Sequence, residues 1–182
     1  MSSASAAMRD KAFMMQQIGA NCCREKARQC QGGERTLMPI RIAARAVLIH
    51  DARLLLVNAY PAGQSDLWCA PGGGAEMHSG LPENLAREVH EETGLRIDVG
   101  APCLVNEFHS AARGYHQVEV FFRCTSRSGM LSDDWCDPEG VVTRRRWFAR
   151  SELGQIRLKP DSLPDIAFSG GIAYDELETI VG

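Results

Sequence analysis

The pattern of apolar and polar positions predicts a sheet of short strands built around one helix. Residues 41–50 and 54–60 are rich in Val, Ile, Leu and Ala, and only a short turn separates them, so they are predicted to form a β-hairpin. Further strands are predicted over residues 67–70, 96–99, 104–110, 115–125 and 143–149. Strands and helices do not alternate regularly, which indicates an α+β or mixed α/β fold rather than a doubly wound sheet.

The principal helix is predicted over residues 81–93, after a glycine loop at residues 72–74. Pro82 stands near its start, and Gly94 stands where a C-terminal stop belongs. Lesser elements are a loop over residues 126–141, a short helix that begins at residues 151–153 and a terminal helix over residues 173–181.

Three glutamates of the principal helix share one face. Glu88, Glu91 and Glu92 stand at positions i, i+3 and i+4. At about 100° per residue, Glu92 falls about 40° from Glu88, inside the apolar stripe that contains Leu85 and Val89. A solvated acidic face would point the other way. Clustered carboxylates that face the core need a counter-charge, which a divalent cation supplies.

The chain of 182 residues is long enough for one domain with a full-sized core. Residues 39–170 are predicted to form this domain. An extension over residues 1–38, partly disordered or weakly helical, is predicted to precede it, and a tail over residues 171–182 is predicted to follow it.

Composition and charge exclude several classes of function. The chain is 45% apolar and 24% charged with a net charge of −3, which gives no overall attraction to nucleic acid or to a membrane surface. No apolar run approaches the ~20 residues that a membrane helix needs. The seven cysteines are odd in number and form no C-x-x-C motif, so reduced thiols and a cytoplasmic location are predicted. Cys69, Cys103 and Cys124 are predicted to be small buried hydrophobes.

The glycine loop and the principal helix together resemble the Nudix box, the signature of the Nudix hydrolases. The box consists of a glycine, a glutamate and then the run Arg-Glu-apolar-x-Glu-Glu-x-Gly-apolar, all at fixed spacings. The matching residues are Gly73, Arg87, Glu88, Val89, Glu91, Glu92, Gly94 and Leu95. Ser79 is the one departure, because it stands where the family has its first glutamate.

The resemblance covers residues 39–166 and implies an α/β/α sandwich with a mixed sheet, in which the box forms a loop–helix–loop. It implies a Mg²⁺ cofactor, with Mn²⁺ as an alternative, bound by Glu88, Glu91 and Glu92. It also implies that Arg87 pairs with and orients the box glutamates.

The departure at Ser79 affects metal affinity more than activity, because the family's first glutamate supports the loop rather than serving as the principal ligand. The resemblance therefore implies retained activity with weaker metal binding. Glu76 and Glu83 are candidates to compensate for the missing carboxylate, although neither stands at the motif position.

The general base is open between two kinds of position. Some relatives use a box glutamate, here Glu91, and others use a glutamate from the loop before the last strand, here Glu139. Glu119 is a further candidate, because it alternates away from the valines on either side of it in a predicted strand.

Candidate substrate contacts lie on both sides of the box. Gly73 lets the backbone pass close to the site, and Arg45 and Arg113 are candidates for phosphate contacts. The arginines at residues 144–146 are further candidates, of which only the first and third share a face of a strand. Trp135 and Tyr115 are candidates for stacking on a base.

The predicted function is Mg²⁺-dependent hydrolysis of a pyrophosphate bond in a nucleoside diphosphate linked to another moiety. The substrate is thus a small nucleotide of the nucleotide-sugar, ADP-ribose or nucleoside triphosphate class, and no subfamily motif selects among these. The alternative is a catalytically weak nucleotide sensor with the same fold. A role in processing RNA ends is disfavoured because the sequence has no basic patch. A homodimer is left open.

Overall fold

The computed structural model describes residues 39–58, 65–128 and 130–179. The predictions for residues 1–38 lie outside these ranges. The strands are β1 (Arg41–His50), β2 (Arg53–Asn58), β3 (Gly72–Gly74), β4 (Ile97–Ser110), β5 (Tyr115–Ser126), β6 (Arg144–Ala149), β7 (Ala173–Tyr174) and β8 (Glu178–Thr179). The helices are α1 (Leu81–Thr93) and α2 (Leu163–Ser169), with 3₁₀ turns η1 (Ala111–Arg113) and η2 (Arg150–Gln155).

The strands form one mixed sheet in the order β6-β2-β1-β5-β4-β7. Strand β1 runs parallel to β5, with Ala44 opposite Val120, and antiparallel to β2 and β3. Strands β7 and β8 both pair in parallel with β4. The predicted mixed sheet is therefore confirmed, and β1 lies at its centre.

Apolar side chains cover both faces of the sheet, since successive residues of a strand point to opposite sides. On one face, Leu85 and Val89 of α1 pack against Ala44 and Leu48 of β1. On the other face, Leu163 and Ile166 of α2 join a cluster that includes Val47, Phe121 and Phe148. Two helical layers with a sheet between them confirm the predicted α/β/α sandwich.

Local predictions fail where pairing partners are distant in sequence. The glycine loop is a short strand, β3, because its backbone pairs with residues 43–45 of β1. The two strands predicted over residues 96–99 and 104–110 are one strand, β4, with bulges between Val99 and Leu104.

The C-terminal segment departs most from prediction. The helix predicted over residues 173–181 was wrong in its described part: residues 173–174 and 178–179 form β7 and β8, because pairing with the edge of β4 overrides local propensity. Residues 180–181 lie outside the described ranges. Helix α2, which the sequence pattern did not predict, lies just before them.

Two of the three cysteines predicted to be buried are confirmed as buried, Cys103 and Cys124, whereas Cys69 is only half-buried. Within the described ranges, no helix is both long and apolar enough to cross a membrane.

Candidate active site

Helix α1 has well-defined ends. It starts after Gly80, whose carbonyl accepts a hydrogen bond from the buried Asn84 side chain at 2.9 Å. It stops at Gly94, which adopts the left-handed conformation with φ of 76° and donates its N–H to the His90 carbonyl. Residues 88–92, which carry the three box glutamates, therefore occupy the last two turns.

The box glutamates differ sharply in exposure. Glu88 and Glu92 are each 2% exposed, as the helical angles predicted, whereas the Glu91 side chain is 29% exposed. Burying carboxylates is costly unless they are paired or hydrogen-bonded. The contacts that satisfy them come from the glycine strand and from arginine.

The glycine strand β3 lies directly against these carboxylates. The Gly72 N–H donates to Glu92 Oε2 at 2.8 Å. A Cβ atom added to Gly73 would lie 2.2 Å from Glu88 Oε2, so only glycine leaves room for that carboxylate. The prediction that the glycines let the backbone approach the site has this direct steric basis.

Arg87 joins three carboxylates. Its Nη2 lies 2.9 Å from Glu88 Oε1 and 3.1 Å from Glu76 Oε1, and its Nη1 lies 2.8 Å from Glu91 Oε2. Partial burial opposes the charge on Arg87, but the three carboxylates outweigh it, so the pKa of the guanidinium is raised. Arg87 thus remains charged and fixes the orientation of two box glutamates.

A second, partly buried arginine supports the glycine strand from the other side. Arg45 Nε donates to Glu119 Oε1 at 2.8 Å, and its Nη1 donates to the Gly72 carbonyl at 2.6 Å. Gln117 Nε2 donates to the same Glu119 oxygen at 2.8 Å. Burial lowers the pKa of Arg45, but the neighbouring carboxylates reverse this and raise it overall. Strands β1, β3 and β5 are therefore joined by one polar network.

The carboxylate oxygens of this cluster are the type of ligand that a hard divalent cation prefers. The acidic side chains of this cluster are Glu76, Glu88, Glu91, Glu92 and Glu119, and the basic ones are Arg45 and Arg87. Five carboxylates and two guanidiniums have a formal net charge of −3, and carboxylate oxygens are the ligands that Mg²⁺ and Mn²⁺ take. Within the described residues, however, no three Asp, Glu, His or Cys side chains already converge as a ligand set. Arg87 holds two of the predicted ligands instead.

The remaining candidates lie on surrounding elements. Ser79 donates to Glu83 Oε2 at 3.0 Å on the exposed side of the turn, so Glu76, and not Glu83, is the non-box carboxylate that reaches Arg87. Arg113 is exposed on η1, between β4 and β5. Glu139 is half-buried in the loop before β6, where its backbone N–H donates to Asp137 at 2.9 Å.

The candidate aromatic residues and the arginines of β6 make contacts within the protein. The Trp135 ring packs on His90, with 5.0 Å between centroids, and the Tyr115 hydroxyl donates to Gln117. Arg144 lies over the Trp68 ring. The middle arginine of the three, at residue 145, points to the opposite side and reaches the C-terminal end of α1. Spacing within the sequence gave no signal for these contacts, because they join segments far apart in the chain.

Comparison with models of protein families identifies the family of this chain. Residues 39–167 match the family model described as the NUDIX domain. The chain belongs to the Nudix family. The predicted family is therefore confirmed, and with it the reaction class, a Nudix pyrophosphohydrolase.

Individual relatives agree with this assignment. This Nudix chain is 31% identical to a MutT-like protein of Streptomyces ambofaciens over 122 residues, which are 63% of this chain and 71% of that protein. It is 32% identical to diphosphoinositol polyphosphate phosphohydrolase 3-alpha of Mus musculus over 100 residues, 54% of this chain and 56% of that protein. The chain thus spans only about half the length of the latter relative.

Solved structures show the same fold. A NUDIX hydrolase from Nitrosomonas europaea superimposes with a TM-score of 0.62 at 21% identity, covering 76% of this chain and 94% of the other. A UDP-X diphosphatase superimposes with a TM-score of 0.58 at 21% identity, covering 76% and 68%. At this level of identity the likeness establishes the Nudix fold and does not select a substrate.

Proposed function

We propose that this Nudix protein hydrolyses a pyrophosphate bond in a nucleoside diphosphate linked to another moiety, with Mg²⁺ or Mn²⁺ bound by Glu88, Glu91 and Glu92. The observation that carries the proposal is the acidic end of α1. Two of its glutamates are 2% exposed yet remain next to the glycine strand, and the third reaches solvent. An ordinary structural helix gains nothing from burying two carboxylates at this position.

The protein side chains divide the work. The bound metal ion supplies charge neutralisation for the diphosphate and activation of water. Glu92 is held by the Gly72 N–H, and Glu88 is held by Arg87 in the space that Gly73 leaves open. Arg87 offsets the repulsion among the carboxylates, because its one guanidinium pairs with Glu76, Glu88 and Glu91.

Glu91 is the proposed general base. It is the most exposed of the three box glutamates, so substrate and water can reach it, and its Oε2 accepts a hydrogen bond from Arg87 that orients it. Glu139 is the alternative base, from a loop held in shape by Asp137. The pH–rate profile of Glu139→Gln, compared with that of the wild type, assigns the role: the acidic limb is kept if Glu91 is the base and lost if Glu139 is the base.

On the substrate side, the backbone at Gly73 and the exposed Arg113 are proposed to contact phosphate groups. Arg45 is proposed to act indirectly, because its guanidinium is engaged with Glu119 and with the Gly72 carbonyl. An Arg113→Ala variant is therefore expected to raise KM with little change in kcat.

A substrate screen tests the function. Nucleotide sugars, ADP-ribose, dinucleoside polyphosphates and nucleoside triphosphates are incubated with Mg²⁺ or Mn²⁺, and phosphate is measured after phosphatase coupling. Glu91→Gln and Glu92→Gln are expected to abolish turnover. Glu83→Gln is the matched control, because that carboxylate bonds only to the exposed Ser79 hydroxyl among the contacts seen on the turn. Turnover by the two Gln variants at the wild-type rate would refute the site.

One observation favours the sensor alternative: Ser79 replaces the first box glutamate. The same screen separates the two functions, because a sensor binds a nucleotide tightly and turns none over. The cytoplasmic location stays a prediction from the cysteine pattern.

A further inference from the structure

The C-terminal end of α1 is held by the segment that leads into β6. The last four carbonyls of a helix have no partner within the helix and need donors from elsewhere. Trp135 Nε1 donates to the Glu91 carbonyl at 3.0 Å, from 44 positions away in the chain. Arg145 Nη1 donates to the Glu92 carbonyl at 3.5 Å. The two residues so capped are two of the three proposed metal ligands.

Trp135 also fills the space at the helix stop. A Cβ atom added to Gly94 would lie 2.8 Å from Trp135 Cδ2, so the indole ring occupies the place of a side chain at that position. The ring also packs on His90, tilted at 51° with 5.0 Å between centroids. The indole is thus in contact with two residues of the box at once, in addition to its hydrogen bond.

The segment that carries these donors is itself fixed. Arg145 Nη2 donates to the Trp135 carbonyl and, at 3.2 Å, to the Ser132 carbonyl. The buried Asp137 carboxylate accepts from the N–H groups of Val141 and Val142, both at 2.8 Å. A rigid segment can transmit its position to the helix end, which a mobile loop cannot.

We propose that Trp135 and Arg145 are positioning residues for the metal site, and that they act by fixing the backbone of Glu91 and Glu92. Helix ends fray, and a frayed last turn would move both carboxylates away from Glu88. The inference rests on the proposed function, since it concerns the same site. It assigns Trp135 a role different from stacking on a base.

The indole N–H can be removed without removing the ring. Trp135→Phe keeps an aromatic ring next to Gly94 and loses the bond to the Glu91 carbonyl. Trp147→Phe is the matched control: Trp147 Nε1 is buried and has no hydrogen-bond partner among the described residues, so the same substitution there removes no bond. Arg145→Lys is the second test, because an ammonium cannot span the carbonyls that the guanidinium reaches.

The measurements are Mn²⁺ affinity by electron paramagnetic resonance, kcat and KM on the substrate found in the screen, and the melting temperature, all on the full chain. Trp135→Phe is expected to weaken Mn²⁺ binding about tenfold, the scale seen when a support of a metal ligand is lost, and to lower kcat more than it raises KM. Arg145→Lys is likewise expected to weaken Mn²⁺ binding and to lower kcat. Trp147→Phe is expected to keep the wild-type Mn²⁺ affinity and kcat, while its melting temperature falls because the smaller ring leaves a cavity.

The outcomes separate the inference from the function. If Trp135→Phe and Arg145→Lys keep the wild-type Mn²⁺ affinity and kcat, the inference is overturned and the proposed function is not. The same holds if Trp147→Phe loses as much Mn²⁺ affinity and kcat as Trp135→Phe. A lower melting temperature with unchanged Mn²⁺ affinity would reduce both residues to a structural role and would also overturn it. If Trp135→Phe does not fold, Arg145→Lys decides by the same criteria. A wild-type chain that binds no Mn²⁺ and hydrolyses nothing would overturn the proposed function and this inference together.

Discussion

Replacing Gly73 by alanine is expected to disable the site through one added methyl group. The new Cβ would lie 2.2 Å from Glu88 Oε2 and 2.4 Å from its Cδ. The optimal van der Waals separation of non-bonded heavy atoms is about 3.5 Å, so the carboxylate must move away by about 1 Å or more. It has little room to do so, because Glu88 is 2% exposed and its Oε1 is bonded to Arg87 at 2.9 Å.

The size of the effect follows from that displacement. Misplacing a catalytic group by about 1 Å costs roughly 100-fold in rate, and overpacking a filled site costs about 1–3 kcal/mol of stability. The assay is kcat/KM at saturating Mg²⁺, together with the melting temperature. Gly74→Ala is the control, because its Cβ would meet only the flexible end of Arg41, at 3.2 Å, and is expected to leave kcat/KM near the wild-type value. Equal activity of the two variants would refute the placement of Glu88 against the glycine strand.

Three further predictions concern the surroundings of the site. Arg45→Met leaves the Glu119 carboxylate, whose side chain is 7% exposed, without its guanidinium partner. The free energy of unfolding, measured by urea titration, is expected to fall by about 3–5 kcal/mol. If the double variant Arg45→Met/Glu119→Leu is no more stable than Arg45→Met, the broken ion pair is not the cause. Cys69 is half-buried as a residue, but desolvation of its thiol raises the pKa of that thiol to about 12. In the native protein at mildly alkaline pH, Cys69 is therefore expected to react with iodoacetamide far more slowly than the exposed Cys136, as read by peptide mass spectrometry, whereas equal rates would contradict that desolvation. Ser79→Glu is expected to retain hydrolysis, because Ser79 lies on the exposed side of its turn, and loss of kcat in that variant would show that the turn tolerates no carboxylate there.

The parts of the site that were predictable are those fixed by helix geometry. Glu88 and Glu92 are buried as predicted, because a constant angle per residue converts sequence position into direction. The glutamates, the glycines and Arg87 are all local to one stretch of chain. Their spacing within that stretch was enough to indicate the family and the reaction class, although the strand conformation of the glycines depends on pairing with β1.

The parts that were not predictable depend on segments distant in sequence. Trp135 was a candidate for base stacking, and its hydrogen bond to the Glu91 carbonyl could not be predicted because no local feature identifies the helix end as its partner. Arg45 was assigned to phosphate binding, and its pairing with Glu119 depends on the parallel register of β1 and β5, which no periodicity encodes. The C-terminal strands form because the edge of β4 is available to them, and that edge is itself a tertiary feature.

The three arginines of β6 have a consequence for self-association. Strand β6 ends the sheet on one side in the described part of the chain, and an outer strand offers its backbone to the same strand of another molecule. Two copies joined along this strand would bring two sets of three consecutive positive charges together, of which the members at residues 144 and 146 are exposed. Such repulsion opposes pairing of two molecules along this border of the sheet, and it is reduced where Arg146 pairs with Glu152.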